Sequence, residues 1–254
     1  MKIKLSTAKT QIILICAVLL QISCSPRHIV TGERVYKNIS IHPGMEEDTE
    51  INSIIAPYKK EMDCRMDEKI SHTSMDLDKN GDNSTLGNLL ADYTYAAARE
   101  WAKKNNIPSV DAAVINIGSI RSTIGRGDIL LRHIYEVMPF ENQLVIVKFK
   151  GKDIQGLFDY YAKTKKNNPI SHLVISVEKG KITKALIDGK PIDESRDYYI
   201  ATNDYLALGG DNMWFFGKGE IIDTNEKLRD IFIREFKKHP EVVPPTAIRL
   251  TFIK

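Results

Sequence analysis

Apolar residues recur at helical spacing in three parts of the chain. The longest stripe predicts a helix from Leu86 to about Lys104, with Ser84 as its N-cap. Shorter stripes predict a helix at residues 154–161 and a last amphipathic helix at 228–236.

Strand patterns lie between and after these helices. Apolar runs, some continuous and some alternating, predict strands at residues 112–115, 144–149, 173–177, 184–187, 198–202 and 248–252. Gly180 and the pair Asp188-Gly189 are hairpin turn signals. The chain has no internal repeat, and its order of elements predicts a mixed α/β (α+β) fold: a single domain of mixed sheet with packed helices.

The first residues have the pattern of a bacterial export signal. Lys2 and Lys4 precede an apolar run at 12–20 that is too short to span a bilayer, and Cys24 stands where a lipoprotein would be cleaved and lipidated. Leu20 is one residue too early for the usual lipoprotein site, so a plain signal peptide and a retained anchor remain alternatives. We therefore expect a signal at 1–24 and a chain that is exported and lipid-anchored at the cell envelope.

Residues 25–45 are polar, contain proline and glycine, and have no periodicity, as expected for a flexible tether. The folded domain is expected at 46–254. Once the signal is removed and Cys24 carries lipid, only Cys64 remains, and no intrachain disulfide is expected.

Charge gives little indication of a nucleic-acid partner. The chain has 36 Lys and Arg against 33 Asp and Glu, a net charge of +3. Such a small excess does not by itself indicate binding to nucleic acid.

No complete catalytic or metal-binding motif is present in the sequence. The loop DLDKNGDNSTLG at 76–87 begins like a calcium loop but has Gly87 where the bidentate Glu should be, so a polar loop is the favoured interpretation. The six histidines are scattered singly, and the sequence lacks D-x-H, G-N-H-E and G-x-S-x-G. We therefore predict no catalytic residue, metal ligand or cofactor in this chain.

Two loops carry candidate binding chemistry. INIGSIR, residues 115–121, follows a buried strand and presents Arg121, which suits a carboxylate or phosphate; a solvated loop with a structural ion pair is the alternative. In NDYLALGGDNMWFF, residues 203–216, Tyr205 offers a flat face and Asp211 accepts hydrogen bonds; a tight turn is the alternative. Trp214, Phe215 and Phe216 are predicted to belong to the core.

Four blocks in this order resemble the C-terminal domain of the 5'-nucleotidase family, which includes periplasmic UDP-sugar hydrolases. The blocks are LGNLLAD (86–92), NIGSIR (116–121), VMPFEN (137–142) and ATNDYLALGGD (201–211). The resemblance covers roughly residues 46–254. It implies that this domain binds the nucleoside part of a nucleotide, while a metallophosphoesterase domain supplies two metal ions and a His-Asp pair.

The resemblance also implies roles for particular residues. Tyr205 resembles one aromatic of a clamp around the base, Asp211 the carboxylate that bonds the nucleoside, and Arg121 the arginine near the substrate. The substrate-binding residues expected on this basis are Asn116, Gly118, Arg121, Asn142, His172, Tyr205, Gly209, Gly210 and Asp211. His172 is the candidate for the second clamp ring. Ile117 and Ser119 replace glycines that are usual in the family, which would strain a loop that needs positive φ.

Three hypotheses follow from the resemblance. In the first, this chain is the nucleotide-binding half of a split phosphohydrolase, and a separate metallophosphoesterase chain holds the metal pair. In the second, it is a surface lipoprotein that binds nucleosides without hydrolysing them. In the third, it is a scaffold whose pocket has decayed.

Overall fold

The computed structural model describes residues 38–253, so the predicted signal and Cys24 lie outside the described residues. The chain divides into two compact units between Thr49 and Glu50. In the first unit, residues 38–49, a turn at 43–45 precedes the start of a helix. The second unit carries nearly all of the secondary structure. The helices are α1 (Thr49–Met66), α2 (Thr85–Lys104), α3 (Leu131–Val137), α4 (Gln155–Thr164), α5 (Asp204–Ala207) and α6 (Leu228–Lys238).

The strands form three sheets rather than one. They are β1 (Lys69–Thr73), β2 (Ala112–Val114), β3 (Gly127–Leu130), β4 (Gln143–Lys150), β5 (Ile170–Ser171), β6 (Leu173–Glu178), β7 (Lys181–Ile187), β8 (Asp197–Asn203), β9 (Glu220–Lys227) and β10 (Leu250–Ile253). The central sheet has the order β5-β2-β8-β4-β9; β10-β6-β7 and β1-β3 form the other two. The predicted mixed α/β class is confirmed.

Both faces of the central sheet are covered. On one face, Ile146 and Ala201 pack in the apolar cluster that contains α2 and α6. On the other face, Val147 and Ile200 pack in the cluster that contains α4. Because both faces are buried, β2, β4 and β8 are nearly continuous apolar runs in the sequence.

Several elements and side chains differ from the sequence-based expectations. No helix was predicted at residues 49–66, where α1 lies, and no strand at residues 69–73, 127–130 or 220–227. Ser84 stands at the N-cap position of α2, but its side chain makes no capping hydrogen bond. Trp214 was predicted to be core and is instead 69% exposed, whereas Phe216 is fully buried.

The predicted turns are confirmed. Lys179 and Gly180 both have positive φ and join β6 to β7, and Asp188 and Gly189 have positive φ after β7. Two successive positive φ values match the twist of a tight hairpin. Within residues 38–253, no helix is both long enough and apolar enough to cross a membrane.

Candidate functional site

One edge of the central sheet gathers most of the predicted site residues. β2 and β8 run parallel, so their carboxyl ends lie at the same edge. β4 is antiparallel to β8, with Leu144 opposite Asn203, so the segment before β4 reaches this edge as well. The segment before β5 does the same, because β5 is antiparallel to β2. Ligands in α/β sheets commonly bind at such an edge. We call it the carboxyl edge.

The loop after β2 is held by buried amides. Asn116 is 6% exposed, and its side-chain oxygen accepts a hydrogen bond of 2.8 Å from the Asn203 amide. The Asn203 oxygen in turn accepts from the Leu206 N–H at 2.9 Å and caps α5. The Ile117 N–H donates to the Asn168 side chain at 3.0 Å. These bonds tie together the two loops in which the sequence pointed to a ligand.

Arg121 lies exposed at the end of this loop. Its backbone N–H donates to the Val137 carbonyl at 2.8 Å, and its guanidinium donates to the Gly118 carbonyl at 3.2 Å. The guanidinium carbon is 5.9 Å from the centre of the Phe140 ring. Phe140 is 44% exposed in the segment before β4. An arginine beside an exposed ring can contact an anion while the ring contacts a flat group.

Two glycines in the segment 203–216 allow Tyr205 to pack closely. Gly209 has φ +93°, a conformation that favours glycine. A Cβ at Gly210 would lie 2.5 Å from a ring carbon of Tyr205 and 2.5 Å from its carbonyl oxygen. The Tyr205 ring therefore lies directly on Gly210, and the side chain is 45% exposed. The pair Gly209-Gly210 is thus required by local geometry.

Asp211 is held in place by two contacts with Tyr205 and one with Lys166. The Tyr205 hydroxyl lies 3.3 Å from Asp211 Oδ1, and the Asp211 N–H donates to the same hydroxyl at 3.2 Å. Lys166 Nζ lies 3.1 Å from Oδ1, and the Asp211 side chain is 18% exposed. Within the described residues, Asp211 Oδ2 has no hydrogen-bond partner, so this oxygen is free to accept from a ligand.

Tyr160 and Asn168 support this loop from beneath. The Tyr160 hydroxyl donates to the Asp211 carbonyl at 3.2 Å and accepts from the Asn168 amide at 3.3 Å. Burial raises the pKa of Tyr160, and the nearby Lys166 opposes this effect. The phenol is therefore neutral at physiological pH and remains a donor to Asp211.

The structure places His172 elsewhere, and this assignment is corrected. Ser171 pairs with Ala113 and Ile170 with Val114, so His172 continues toward the amino end of β2, away from Asn116. Its ring stacks on Tyr95 with a centroid distance of 3.7 Å. The family resemblance implied a second ring just before β6, and the antiparallel pairing of β5 with β2 places that position at the opposite end of the sheet.

The structure places the other predicted residues at or near the carboxyl edge. Asn142 lies just before β4, and its carbonyl accepts from the Leu228 N–H at 2.9 Å. Gly118 is exposed and has open space around it, with Asn116 as its nearest neighbour. No residue from 116 to 121 has a positive φ, so Ile117 and Ser119 fit this loop without the strain that was expected.

The side-chain oxygens of the acidic loop at 76–82 do not form a cation site. Asp76 accepts from the Arg126 N–H at 2.8 Å, and Asp78 accepts from the Asn80 N–H at 2.9 Å. Across residues 38–253, no group of three or more His, Cys, Asp or Glu side chains could hold a metal ion. The described residues therefore do not fit a two-metal centre.

Sequence reasoning missed four residues at the carboxyl edge. Phe140 stood inside the quoted block VMPFEN, and Lys79, Lys166 and Asn168 lay in polar segments with no pattern of their own. Lys79 Nζ donates to the Ile120 carbonyl at 2.7 Å and adds a cation beside the Arg121 loop. Strand pairing brings Phe140 to the carboxyl edge, and the contacts of Lys79, Lys166 and Asn168 with its loops place them there as well.

The exposed residues of the carboxyl edge define a class of site. It offers two exposed aromatic rings, a carboxylate with one free oxygen, and the cations Arg121, Lys79 and Lys166. Such a set suits a small organic ligand with a flat ring and an anionic group. A cleft of about 940 Å³ lies beside His172, and none of these residues lines it. The chemistry of the carboxyl edge, rather than cleft size, identifies the candidate site.

Comparison with known proteins identifies the family. The family described as 5'-nucleotidase, C-terminal domain, matches residues 66–218. This match covers more than half of the chain, and the chain therefore belongs to that family.

Several relatives share this domain. The trifunctional nucleotide phosphoesterase protein YfkN of Bacillus subtilis is 30% identical over 82% of this chain. The NAD 5'-nucleotidase of Haemophilus influenzae is 26% identical over 85% of it. The chain spans only 16% of the length of the first relative and 40% of the second.

Solved structures show the same fold. A 5'-nucleotidase precursor from Thermus thermophilus has a TM-score of 0.67 at 22% identity, over 82% of this chain and 44% of that one. The Haemophilus influenzae NAD nucleotidase has a TM-score of 0.62 at 23% identity, over 81% of this chain and 41% of that one.

Proposed function

We propose that this domain binds the nucleoside part of a nucleotide at the carboxyl edge and positions it for hydrolysis by a separate metallophosphoesterase chain. In this proposal the base contacts Tyr205 and Phe140, and Asp211 Oδ2 accepts a hydrogen bond from the nucleoside. Arg121 faces the phosphate. The single observation that carries the proposal is the Tyr205–Asp211 arrangement, in which Gly210 fixes the ring and Lys166 leaves one carboxylate oxygen free.

Phe140 takes the role that the sequence gave to His172. It is exposed, it lies in the segment that strand pairing brings to the carboxyl edge, and its ring neighbours Arg121. A base stacked on these rings would leave its phosphate near Arg121. Removing one ring should weaken binding by about 1–3 kcal/mol, the usual cost of losing a base-stacking aromatic.

The exposed apolar face of α1 supports the proposal of a separate partner chain. It contains no buried residue, and Ile54, Ile55, Tyr58 and Met62 recur on one side at three- and four-residue steps. Their exposed fractions are 61%, 48%, 73% and 53%. A groove of about 240 Å³ continues this face between Met62 and Tyr135. Contiguous exposed apolar surface of this kind typically marks a protein interface. We propose that the metallophosphoesterase chain covers it and supplies the metal pair and the activated water.

Binding is tested by calorimetric titration with adenosine, AMP and UDP-glucose. Tyr205→Ala, Phe140→Ala and Asp211→Ala should each weaken binding, whereas Tyr58→Ala, an exposed aromatic on α1, should leave it unchanged. Absence of heat with all three ligands would favour a pocket that has decayed.

The partner is tested by mixing the chain with candidate metallophosphoesterases and measuring the nucleotidase rate. We expect a gain in rate that Tyr58→Glu abolishes while nucleoside binding survives. Binding without any complex or gain in rate would instead favour a surface lipoprotein that captures nucleosides.

We also propose that the chain is exported and lipid-anchored through Cys24. Metabolic labelling with palmitate should mark the wild-type chain and a Cys64→Ser control. Label that persists in Cys24→Ser would contradict this proposal.

A further inference from the structure

A second polar cleft lies at the opposite edge of the central sheet. Its walls come from the last turns of α2, the segment 107–111 before β2, and His172, Asp188 and Arg196. Asp111 and Arg196 directly precede the parallel strands β2 and β8, so this is the amino edge. The cleft has a volume of about 940 Å³. This size falls within the usual range for small-molecule sites.

Two cations of the cleft have no ion-pair partner among the described residues, and the exposed carboxylate of Asp188 lies beside His172 in the same cleft. Arg99 and Lys103 are exposed one turn apart on α2, and within the described part of the chain neither forms an ion pair. The adjacent Glu100 is engaged by Lys104 at 2.8 Å and by Lys238 at 3.2 Å. The charge of Glu100 is therefore balanced by lysines that do not line the cleft. Arg99 and Lys103 keep their positive charge without a carboxylate partner.

Arg196 adds a third cation on another wall. Its guanidinium pairs with the buried Asp111 and lies 4.3 Å from the centre of the Tyr198 ring. The Arg196 side chain remains 47% exposed. A guanidinium fixed by a buried partner can still direct its outer N–H groups to an anion.

The imidazole of His172 forms a fixed part of the wall. It stacks on Tyr95, its Nδ1 lies 3.1 Å from Asp188 Oδ1, and its carbonyl accepts from the Asp188 N–H at 2.8 Å. The backbone of His172 has φ +57°, which is uncommon outside glycine. Positions held in such a conformation by surrounding contacts cluster at ligand sites.

We propose that this cleft is a second binding site, separate from the carboxyl edge, for a small phosphorylated anion. Arg99 and Lys103 would contact its oxygens from α2, and Arg196 from the opposite wall. A phosphoryl group suits this arrangement because it presents several charged oxygens in different directions, and guanidinium groups bind such oxygens two at a time. The site does not depend on nucleoside binding at Tyr205 and Asp211.

Titration of the full chain with inorganic pyrophosphate at low ionic strength tests the proposal. The double variant Arg99→Gln/Lys103→Gln should bind about tenfold more weakly or worse, given the usual strength of charged hydrogen bonds. Lys163→Gln is the matched control, since Lys163 is an exposed lysine on α4 that does not line the cleft. Lys163→Gln should retain wild-type affinity.

A second readout follows the His172 ring by NMR, where pyrophosphate should shift its signals in the wild-type chain and not in the double variant. Thermal melting of each single variant shows whether folding is preserved, and each single variant should weaken binding several-fold. The proposal is overturned by an absence of binding at millimolar pyrophosphate or by binding that Arg121→Gln abolishes, because that result would place pyrophosphate at the carboxyl edge. Adsorption to phosphatidylglycerol vesicles without pyrophosphate binding would also overturn it, because the cations would then contact a membrane surface.

Discussion

Gly210→Ala tests whether the glycine pair positions Tyr205. The new methyl group would lie 2.5 Å from the Tyr205 ring and 2.5 Å from its carbonyl oxygen. The carbonyl belongs to the backbone of α5 and cannot turn away, so the loop must move. Forcing a methyl group into a filled space costs about 1–3 kcal/mol. The reduced entropy of the unfolded chain recovers about 0.4–1 kcal/mol of this. We therefore expect a net loss of roughly 1–2 kcal/mol in the free energy of unfolding.

Gly217→Ala is the matched control for this prediction. A Cβ at Gly217 would meet no atom within 4 Å, and Gly217 is not among the glycines with positive φ. It should be neutral or stabilise the chain by up to about 1 kcal/mol. Urea unfolding of both variants gives the comparison, and nucleoside titration should show weaker binding for Gly210→Ala alone. Equal stability and equal binding of the two variants would refute the close packing of Tyr205 on Gly210.

Two further predictions concern buried amides and acid stability. Asn203→Ala should lower the free energy of unfolding by about 2–3 kcal/mol, because it removes the cap of α5 and leaves the buried Asn116 oxygen without its donor. In urea unfolding, Asn203→Ser should recover part of this loss because serine keeps a capping oxygen. An equal loss in both variants would show that the cap contributes nothing. Hydrogen bonds from Lys104 and Lys238 hold the pKa of Glu100 at about 2, below its ordinary value of 4.5. The contribution of Glu100 is thus present above pH 4.5 and is lost as pH falls through about 2. Because the carboxylate is exposed, it amounts to less than about 1 kcal/mol. Acid titration of stability should show a shallower decline for Glu100→Gln, and an unchanged decline would count against the ion pairs.

The buried helices and strands were predictable because the spacing of their apolar residues along the chain matches the faces that they bury. α2 has a stripe of apolar residues, and this stripe is the face that packs into the core. β4 is apolar at consecutive positions because both faces of the sheet are covered. β9 was missed because it lies at the edge of the sheet and buries only Thr224, so its sequence EIIDTNEK has no clear alternation. α1 was missed although its apolar residues follow helical steps, because Pro57 lies within the stripe and proline usually ends or interrupts a helix.

The candidate site was predictable only where its parts are close in the chain. Tyr205 and Asp211 are six residues apart, and the glycines between them indicated a tight structure. Phe140 is distant in sequence from both and is brought to the carboxyl edge by the pairing of β4 with β8. His172 was chosen for its position before β6, and two residues of antiparallel pairing placed it at the amino edge. Register therefore decided which aromatic lies at the carboxyl edge.

The state of Asp211 restricts what the carboxyl edge can bind. Asp211 and Asn212 both have positive φ, at 54° and 65°, and follow Gly209 at 93°. This compressed turn lets the Tyr205 hydroxyl contact both the N–H and the Oδ1 of Asp211. Lys166 already balances the charge of the carboxylate. A cationic ligand group would have to displace that lysine, whereas a neutral N–H or hydroxyl can donate to Oδ2 without disturbing it. Under the proposed function, the nucleoside would therefore donate to Oδ2 through a neutral N–H or hydroxyl group, and its phosphate would face Arg121.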